Sequence, residues 1–482
     1  MLKHEIKYHH DSAQLFERIA SQPWAMLLDS GQMLNPATGK AGSQYGRYDI
    51  IVAEPFITLV TQGEVTTIRQ NGEATTSAQD PFSLLKNCLS QYKVAKTDLS
   101  FASSYLPFAG GAVGYFAYDL ARRIEKLPSH AISAVELPEM MPEMMVAIYD
   151  WALIVDHRKQ KTVLVSHGLD AATHANWPRL QALFNGSFKA SAVDEKINQF
   201  TVTSPIVSNL TQTQYSQAFA KIQAYIQAGD CYQVNLAQRF SAKVQGDSWQ
   251  AYKKLREISP APFMAFMQLP LNDAEQFQVL SNSPERFIQV NGEHVETRPI
   301  KGTRPRFKDP THDLHSANEL LTSLKDKAEN VMIVDLLRND LSKSCEKVGV
   351  SKLFQLQSFA NVHHLVSIIV GKLRLNKTAV DVLRSCFPGG SITGAPKLRA
   401  MQIIDELEPH RRGLYCGAIG YIGFDGDMDT NITIRTAVSS KNTLSFYAGG
   451  GIVADSDGSK EFAETLDKAS SFITITKYFT RL

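Results

Sequence analysis

Over roughly the first 190 residues, apolar and polar positions alternate with the period of two that a half-buried β-strand requires. "FITLVTQGEVTTIRQNGEATT" predicts paired hairpins turning at Gly63 and at Asn71-Gly72. "MMVAIYDWALIVDHRKQKTVLVSHG" predicts two apolar strands around a charged turn. Between Lys189 and Gln212 the chain becomes polar and loses its period, which divides it into an N-terminal region, 1–200, and a C-terminal region, 201–482. From Thr213 the spacing turns helical, with Ala218, Ile222 and Tyr225 on one face and Gly229 as the stop. Beyond it strands and helices alternate irregularly and without repeat, so an α+β fold of large sheets and packed helices is expected. "GGAVGY" (Gly110–Tyr115) copies part of a dinucleotide fingerprint but lacks its spacing, and reads as a packing glycine turn.

Composition narrows the function classes. The 482 residues are 44% hydrophobic and 20% charged, an ordinary globular balance. Fifty basic against 48 acidic residues leave a net charge of +2, which gives no electrostatic case for nucleic acid or an anionic membrane. No apolar run approaches the roughly 20 residues that span a bilayer, and "MLKHEIKYHHDSAQ" has no apolar signal core. Five scattered cysteines without a CxxC pair fit a reducing cytoplasm, the expected location, and argue against zinc and disulfides.

Four stretches of the C-terminal region carry polar residues that a core would not select. In "SNSPERFIQVNGEHVETRPIKGT" an Asn291-Gly292 type I′ turn pairs Val290 with Glu293, and so sets Glu285 opposite Arg298 and Lys301 opposite Asn282. Glu285 reads either as a solvated strand end or as a buried acid, and Lys301 either as a surface stem or as a desolvated amine. "SLKDKAENVMIVDLLRND" is helical and sets Asp326 and Glu329 on one face, as dipole partners or as ligands. "SKEFAETLDKASSFI" gives a second helix with Glu461, Glu464 and Lys468 on one stripe and Phe462, Leu466, Ala469 and Ile473 on a buried one. Two acidic helices together can offer oxygen ligands to a hard cation such as Mg²⁺. "FPGGSITGAPKLRAMQIIDELE" joins a glycine-rich loop to a helix near Pro396, a geometry suited to an anion, but it is not a nucleotide loop because Ala395 stands where the lysine would be. Arg435 in "NITIRTA" is expected on a buried strand, and "YAGGGIV" allows close backbone approach.

"PGGSITGAPKLRAMQIIDELEP", "ENVMIVDLLRND", "HHLVS", "DTNITIRTA" and "AGGGIVADS" together closely resemble the chorismate-utilising enzymes, most specifically between about residues 213 and 475. The resemblance implies an α+β fold of two large β-sheets flanked by helices, with chorismate as substrate and Mg²⁺ as cofactor. It places Glu329 and Glu464 at metal-ligand positions, with Asp326 and Glu461 nearby. Thr303, Tyr415, Arg435, Lys468 and the backbone of Gly449, Gly450 and Gly451 match substrate-holding positions. His364 matches an active-site histidine, and Glu285 the acid that assists loss of the ring hydroxyl.

Two positions separate the family's branches. The isochorismate-forming branch resembles itself in carrying a lysine base where this chain has Gln233, so water as nucleophile is disfavoured. Anthranilate-forming members read PIAGT where this chain reads PIKGT. The lysine resembles the aminodeoxychorismate-forming branch of p-aminobenzoate and folate biosynthesis, which implies Lys301 as a covalent nucleophile at chorismate C2. Anthranilate formation and a non-catalytic chorismate or tryptophan sensor are the alternatives. No Cys-His-Glu glutaminase set is visible, so glutamine would be used through a separate amidotransferase subunit, component II. "PWAMLLDSG" and "YGRYDI" resemble the family's tryptophan pocket, which implies Ser30, Tyr45, Gly46, Arg47 and Tyr48 as effector residues. Asp29 replaces the usual glutamate and an insert precedes Tyr45, so a structural and an inhibitory tryptophan are both open.

Overall fold

The computed structural model describes residues 1–31, 46–94, 100–101, 104–127, 141–186, 199–272, 274–358 and 362–480. Two large antiparallel sheets, of 13 and 12 strands among the described residues, carry helices on their outer faces. The first runs Leu2–Ile6, Lys161–Ser166, Trp151–Asp156, Tyr48–Val52, Met26–Asp29, Phe263–Pro270, Gln276–Ser283, Thr436–Ser440, Thr443–Ile452, Gln233–Gln245 and Thr201–Val202. The second runs Ile300–Pro305, Val362–Leu373, His294–Thr297, Arg286–Asn291, Met428–Ile432, Ala418–Gly423, Gly111–Phe116, Met144–Tyr149, Ile57–Gln62, Val65–Gln70 and Glu73–Ser77. Strands from both sides of residue 200 therefore lie within each sheet.

The long apolar runs follow from this layering, because a sheet covered on both faces needs no polar side. In Met144–Tyr149, Met145, Ala147 and Tyr149 join the core between the sheets, while Met144, Val146 and Ile148 join the core under the outer helices. One residue later the chain has changed sheets: Trp151, Leu153 and Val155 face the first sheet's helices, and Ala152 and Ile154 the middle. The expected charged-turn hairpin is thus Trp151–Asp156 with Lys161–Ser166, and the strand before it belongs to the other sheet. "GGAVGY" supplies the strand Gly111–Phe116 at the centre of the second sheet, where a Cβ on Gly114 would collide with the Met145 carbonyl.

The hairpin at Asn291 differs from its expected register. Asn291 pairs with His294 and Val290 with Val295, so the turn is Gly292-Glu293, with Gly292 at φ +59. A single glycine at the first central position fits a type II′ turn, so the register moves and Glu285 no longer faces Arg298. Lys301 is not opposite Asn282 either: its strand pairs instead with Val362–Leu373, with Lys301 beside Leu365.

Candidate active site

Two of the chain's crossings between the sheets lie side by side, and each carries a candidate site residue. Pro284 and Glu285 link Gln276–Ser283 to Arg286–Asn291, while Thr433 to Arg435 link Met428–Ile432 to Thr436–Ser440. Backbone hydrogen bonds tie the crossings together, Ile432 N–H to Glu285 O at 3.0 Å and Asn282 N–H to Arg435 O at 2.8 Å. Arg435 is therefore not on a strand, as its apolar flanks suggested, but in a connection at φ +50. Burial lowers the pKa of its guanidinium, and among the described residues no carboxylate or other acceptor is paired with it. A strained, buried and unneutralised cation of this kind is suited to a ligand's anionic group.

Glu285 is 6% exposed. Burial pushes its carboxyl up to about 7, against the pull of Lys301, a hydrogen bond from Ser391, the Ile300 N–H and Lys468. A carboxylic acid that keeps its proton near neutral pH can serve as a general acid.

Lys301 enters from the edge of the second sheet. Gly302, at φ +78, takes the extra place of a β-bulge between the Lys301–Leu365 and Thr303–His364 pairs. A Cβ there would stand 2.7 Å from Leu320 Cδ1 and 2.9 Å from Asp326 Cγ. The Lys301 Nζ donates to Gln233 Oε1 at 3.4 Å and lies 3.9 Å from Glu329 Oε2. Desolvation lowers its pKa, Glu329 opposes that shift, and Lys468 adds to it. The amine is thus nearer to its neutral, nucleophilic form than a surface lysine.

Two helices bring the acidic residues in. Leu324–Ser342 starts at the N-cap Ser323 and carries Asp326 and Glu329; Gly458–Phe479 starts at Asp457 and carries Glu461 and Glu464. The C-terminal helix lies against Gly450, whose missing side chain leaves room: a Cβ would be 2.9 Å from Glu461 Oε2 and 4.0 Å from Glu464 Oε1. Burial, then neighbouring carboxylates, raise the pKa of Glu329 and Glu461. Burial would raise Glu464 as well, but Lys468, at 2.7 Å from its Oε1, brings it below the ordinary range. Among the described residues no three His, Cys, Asp or Glu groups already stand at metal-holding distance. The C-terminal helix also corrects the expected stripe, since Glu461, Thr465, Ala469 and Phe472 are buried while Leu466 is 40% exposed.

The remaining candidates surround these groups. His364 Nδ1 bonds to Thr303 Oγ1 at 2.9 Å, and burial with the nearby Arg435 pushes its pKa down to about 4, so the ring is neutral. Tyr415 is buried, stacked on Tyr447 at 5.4 Å and lying against Arg412. Gly449 accepts a 2.9 Å hydrogen bond from Lys468 at its carbonyl, and Gly451 opposes Asn235 across the ladder. Gln233 was expected only as the absence of a base. It is fully buried with no partner on Nε2 among the described residues, against the space a Gly451 Cβ would fill. Ser391, missed by the sequence reading, donates to Glu285 Oε1 at 3.2 Å; the hydroxyl after two glycines was its only signal. The glycine-rich loop thus meets an acid rather than presenting an unoccupied helix end.

The effector candidates gather elsewhere, around a cavity of about 570 Å³ between the sheets, lined by Ser30, Gly46, Arg47 and Tyr48 together with Phe263 and Met428. Tyr45 lies outside the described residues. The Ser30 N–H and hydroxyl donate to Asp49 Oδ1 at 2.7 and 2.6 Å, and Arg47 is bound to Asp156 at 2.7 Å. Asp29 turns toward Arg256 and accepts from the Tyr252 hydroxyl at 3.0 Å.

The family model for chorismate binding enzymes matches residues 43–474. The chain belongs to that family. It is 46% identical over 471 residues to aminodeoxychorismate synthase component 1 of Klebsiella aerogenes, covering 97% of each chain. It is 35% identical over 464 residues to anthranilate synthase component 1 of Bacillus caldotenax, covering 91% of this chain and 88% of that one. The fold is similar to the crystal structure of anthranilate synthase component I from Streptococcus pneumoniae TIGR4, with a TM-score of 0.74 and 29% identity over 93% of this chain and 98% of that one. The two-sheet, helix-flanked architecture expected from the sequence is therefore that of the family.

Proposed function

We propose that the chain converts chorismate and ammonia to 4-amino-4-deoxychorismate through a covalent adduct on Lys301. The observation that carries this reading is a desolvated amine and a buried acid, Lys301 and Glu285, on neighbouring segments of one cleft. The substrate's carboxylates would be received by Arg435, Lys468, Tyr415, Thr303 and the Gly449–Gly451 backbone, with His364 held neutral beside Thr303. The Lys301 lone pair would attack C2, the ring double bonds would shift, and the C4–O bond would break as Glu285 gives its proton to the departing hydroxyl. Ammonia would then add at C4 and expel the lysine, and the enolpyruvyl group would stay in place. Gln233, having no basic lone pair, would leave water unactivated.

The all-oxygen donor set fits Mg²⁺: besides burial, Asp326 and Glu464 raise the pKa of Glu329 and Glu464 raises that of Glu461, a crowding that a hard cation relieves. Glu329 and Glu464 would hold it, with Glu461 and Asp326 behind them. When bound, it would supply positive charge for the substrate's carboxylate. The relatives' designation as component 1 supports a second subunit, which we read as a glutamine amidotransferase supplying ammonia. The cavity between the sheets is proposed to take tryptophan. Chorismate, Mg²⁺ and ammonium incubated with the chain should give a product that retains the enolpyruvyl mass. Anthranilate and pyruvate instead would overturn the reading.

A further inference from the structure

We propose that Ser391 is a positioning residue for Glu285, holding the carboxyl through Oε1 so that the acid proton rides on Oε2 and the carboxylate is stabilised as that proton leaves. The inference rests on Glu285 as the acid, and extends it to the glycine-rich loop. Its first support is the contact itself: the Ser391 hydroxyl donates to Glu285 Oε1 at 3.2 Å in a buried setting. The second is that Ser391 is held from several sides. It sits in the short turn Gly390–Ile392, whose following residue, Thr393, donates its hydroxyl to Gly389 O at 2.7 Å. Asn235 N–H donates to Thr393 O at 2.9 Å, and Arg412 Nη1 to Ile392 O at 3.2 Å. Gly390 lies so close to helix Leu324–Ser342 that a Cβ would stand 2.5 Å from Leu336 Cδ2. A loop braced in this way delivers one hydroxyl with little freedom, the condition for a useful supporting contact.

The chemistry gives the contact a direction. As the C2–N bond to Lys301 forms and the C4–O bond breaks, the proton of Glu285 goes to the departing hydroxyl and leaves as water. The lysine nitrogen becomes a secondary ammonium and Glu285 becomes a carboxylate. A hydrogen bond from a neutral hydroxyl is stronger to a carboxylate than to a carboxylic acid. The Ser391 contact therefore strengthens along the reaction and acts on turnover more than on binding. The groups acting on Glu285 are Lys301 on the edge strand, Lys468 on the C-terminal helix, Cys416, the Ile300 N–H and the Ser391 hydroxyl. The Ser391 side chain gives its hydrogen bond without a charge, so the bond can be removed with the charge of the cleft unchanged.

The test compares Ser391→Ala, Ser391→Thr and Glu285→Gln in the full-length chain with chorismate, Mg²⁺ and ammonium. Ser391→Ala is expected to lower kcat about tenfold with little change in KM, and to move the descending limb of the kcat–pH profile upward. Ser391→Thr, which keeps the hydroxyl, should restore both, while thermal unfolding reports whether each variant is folded. A Ser391→Ala profile superposable on the wild type, or a Thr variant no better than Ala, overturns the proposal. Glu285→Gln separates the two levels: if it keeps the wild-type descending limb, the acid itself has been misassigned. If it abolishes turnover while Ser391→Ala changes nothing, only the role of Ser391 falls.

Discussion

Around the cavity between the sheets, Arg47 meets Asp156 at 2.7 Å, Arg286 meets Asp429 at 2.8 Å, and Arg256 is held by Asp29 and Asp11. Around the cleft, Arg435 has no carboxylate among the described residues, Lys301 stands 3.9 Å from Glu329, and Glu461 and Glu464 crowd beside Gly450 with Lys468 2.7 Å from Glu464. The two places use the same residue types. What separates them is whether the arginine is already answered. A paired charge in low dielectric holds walls in place, and a missing partner makes it costly. An unanswered charge costs stability from the start, and the fold tolerates that only where a ligand supplies the partner. The cavity is built to keep its shape, and the cleft to bind and react.

Breaking the cleft should give the largest effect. Lys301→Ala is expected to lower aminodeoxychorismate formation by at least about 10³-fold. It should also remove the mass adduct that wild-type protein accumulates when chorismate is given without ammonia. An adduct on another residue, or wild-type turnover in the variant, would reduce Lys301 to a positioning charge. Breaking the pairing on the cavity side should act on stability instead. Arg256→Ala strands the buried Asp29 and should cost about 3–5 kcal/mol in a denaturant titration, far more than an exposed ion pair would.

Arg435→Gln should raise KM for chorismate and cut kcat/KM by about 10²-fold, because its charge has no other use. Its unfolding free energy should stay level or rise, whereas Arg256→Ala must lose stability; the same outcome in both would erase the contrast drawn above. The smallest effect is in pH. Glu285 must carry its proton to act, and burial sets that proton's loss near pH 7. The lysine works the other way, since rising pH favours its neutral form. Once the lysine is neutral, turnover should therefore fall by up to about tenfold for each further pH unit, and the limb should vanish in Glu285→Gln.

Much of this was legible in the chain. The i, i+3 spacing of Asp326 and Glu329 and the glycine run before Ile452 each carry their reason locally. What stayed hidden depends on partners distant in sequence. The sheet changes at Asp150, Glu285 and Arg435 leave no local mark, because a strand buried on both faces reads alike in either sheet. The hairpin register turned on which residue beside Gly292 enters the turn, a choice of one position that moves every partner. Glu461 was set on the stripe away from the buried one because its spacing fits there. It is buried because Gly450, eleven positions earlier, has no side chain. Ser391 needed Glu285, and the two are 106 residues apart.

The interleaving of the sheets also bears on how the protein is made. Gly111–Phe116 lies between Met144–Tyr149 and Ala418–Gly423, and Tyr115 pairs with Ile419. On a ribosome adding ~5–20 residues per second, one edge of that central strand would wait roughly 15–60 s for its partner to be synthesised. During that interval an apolar strand with unpaired amides is open to any other chain. Pairing between strands so far apart in sequence is of the kind that folds slowly.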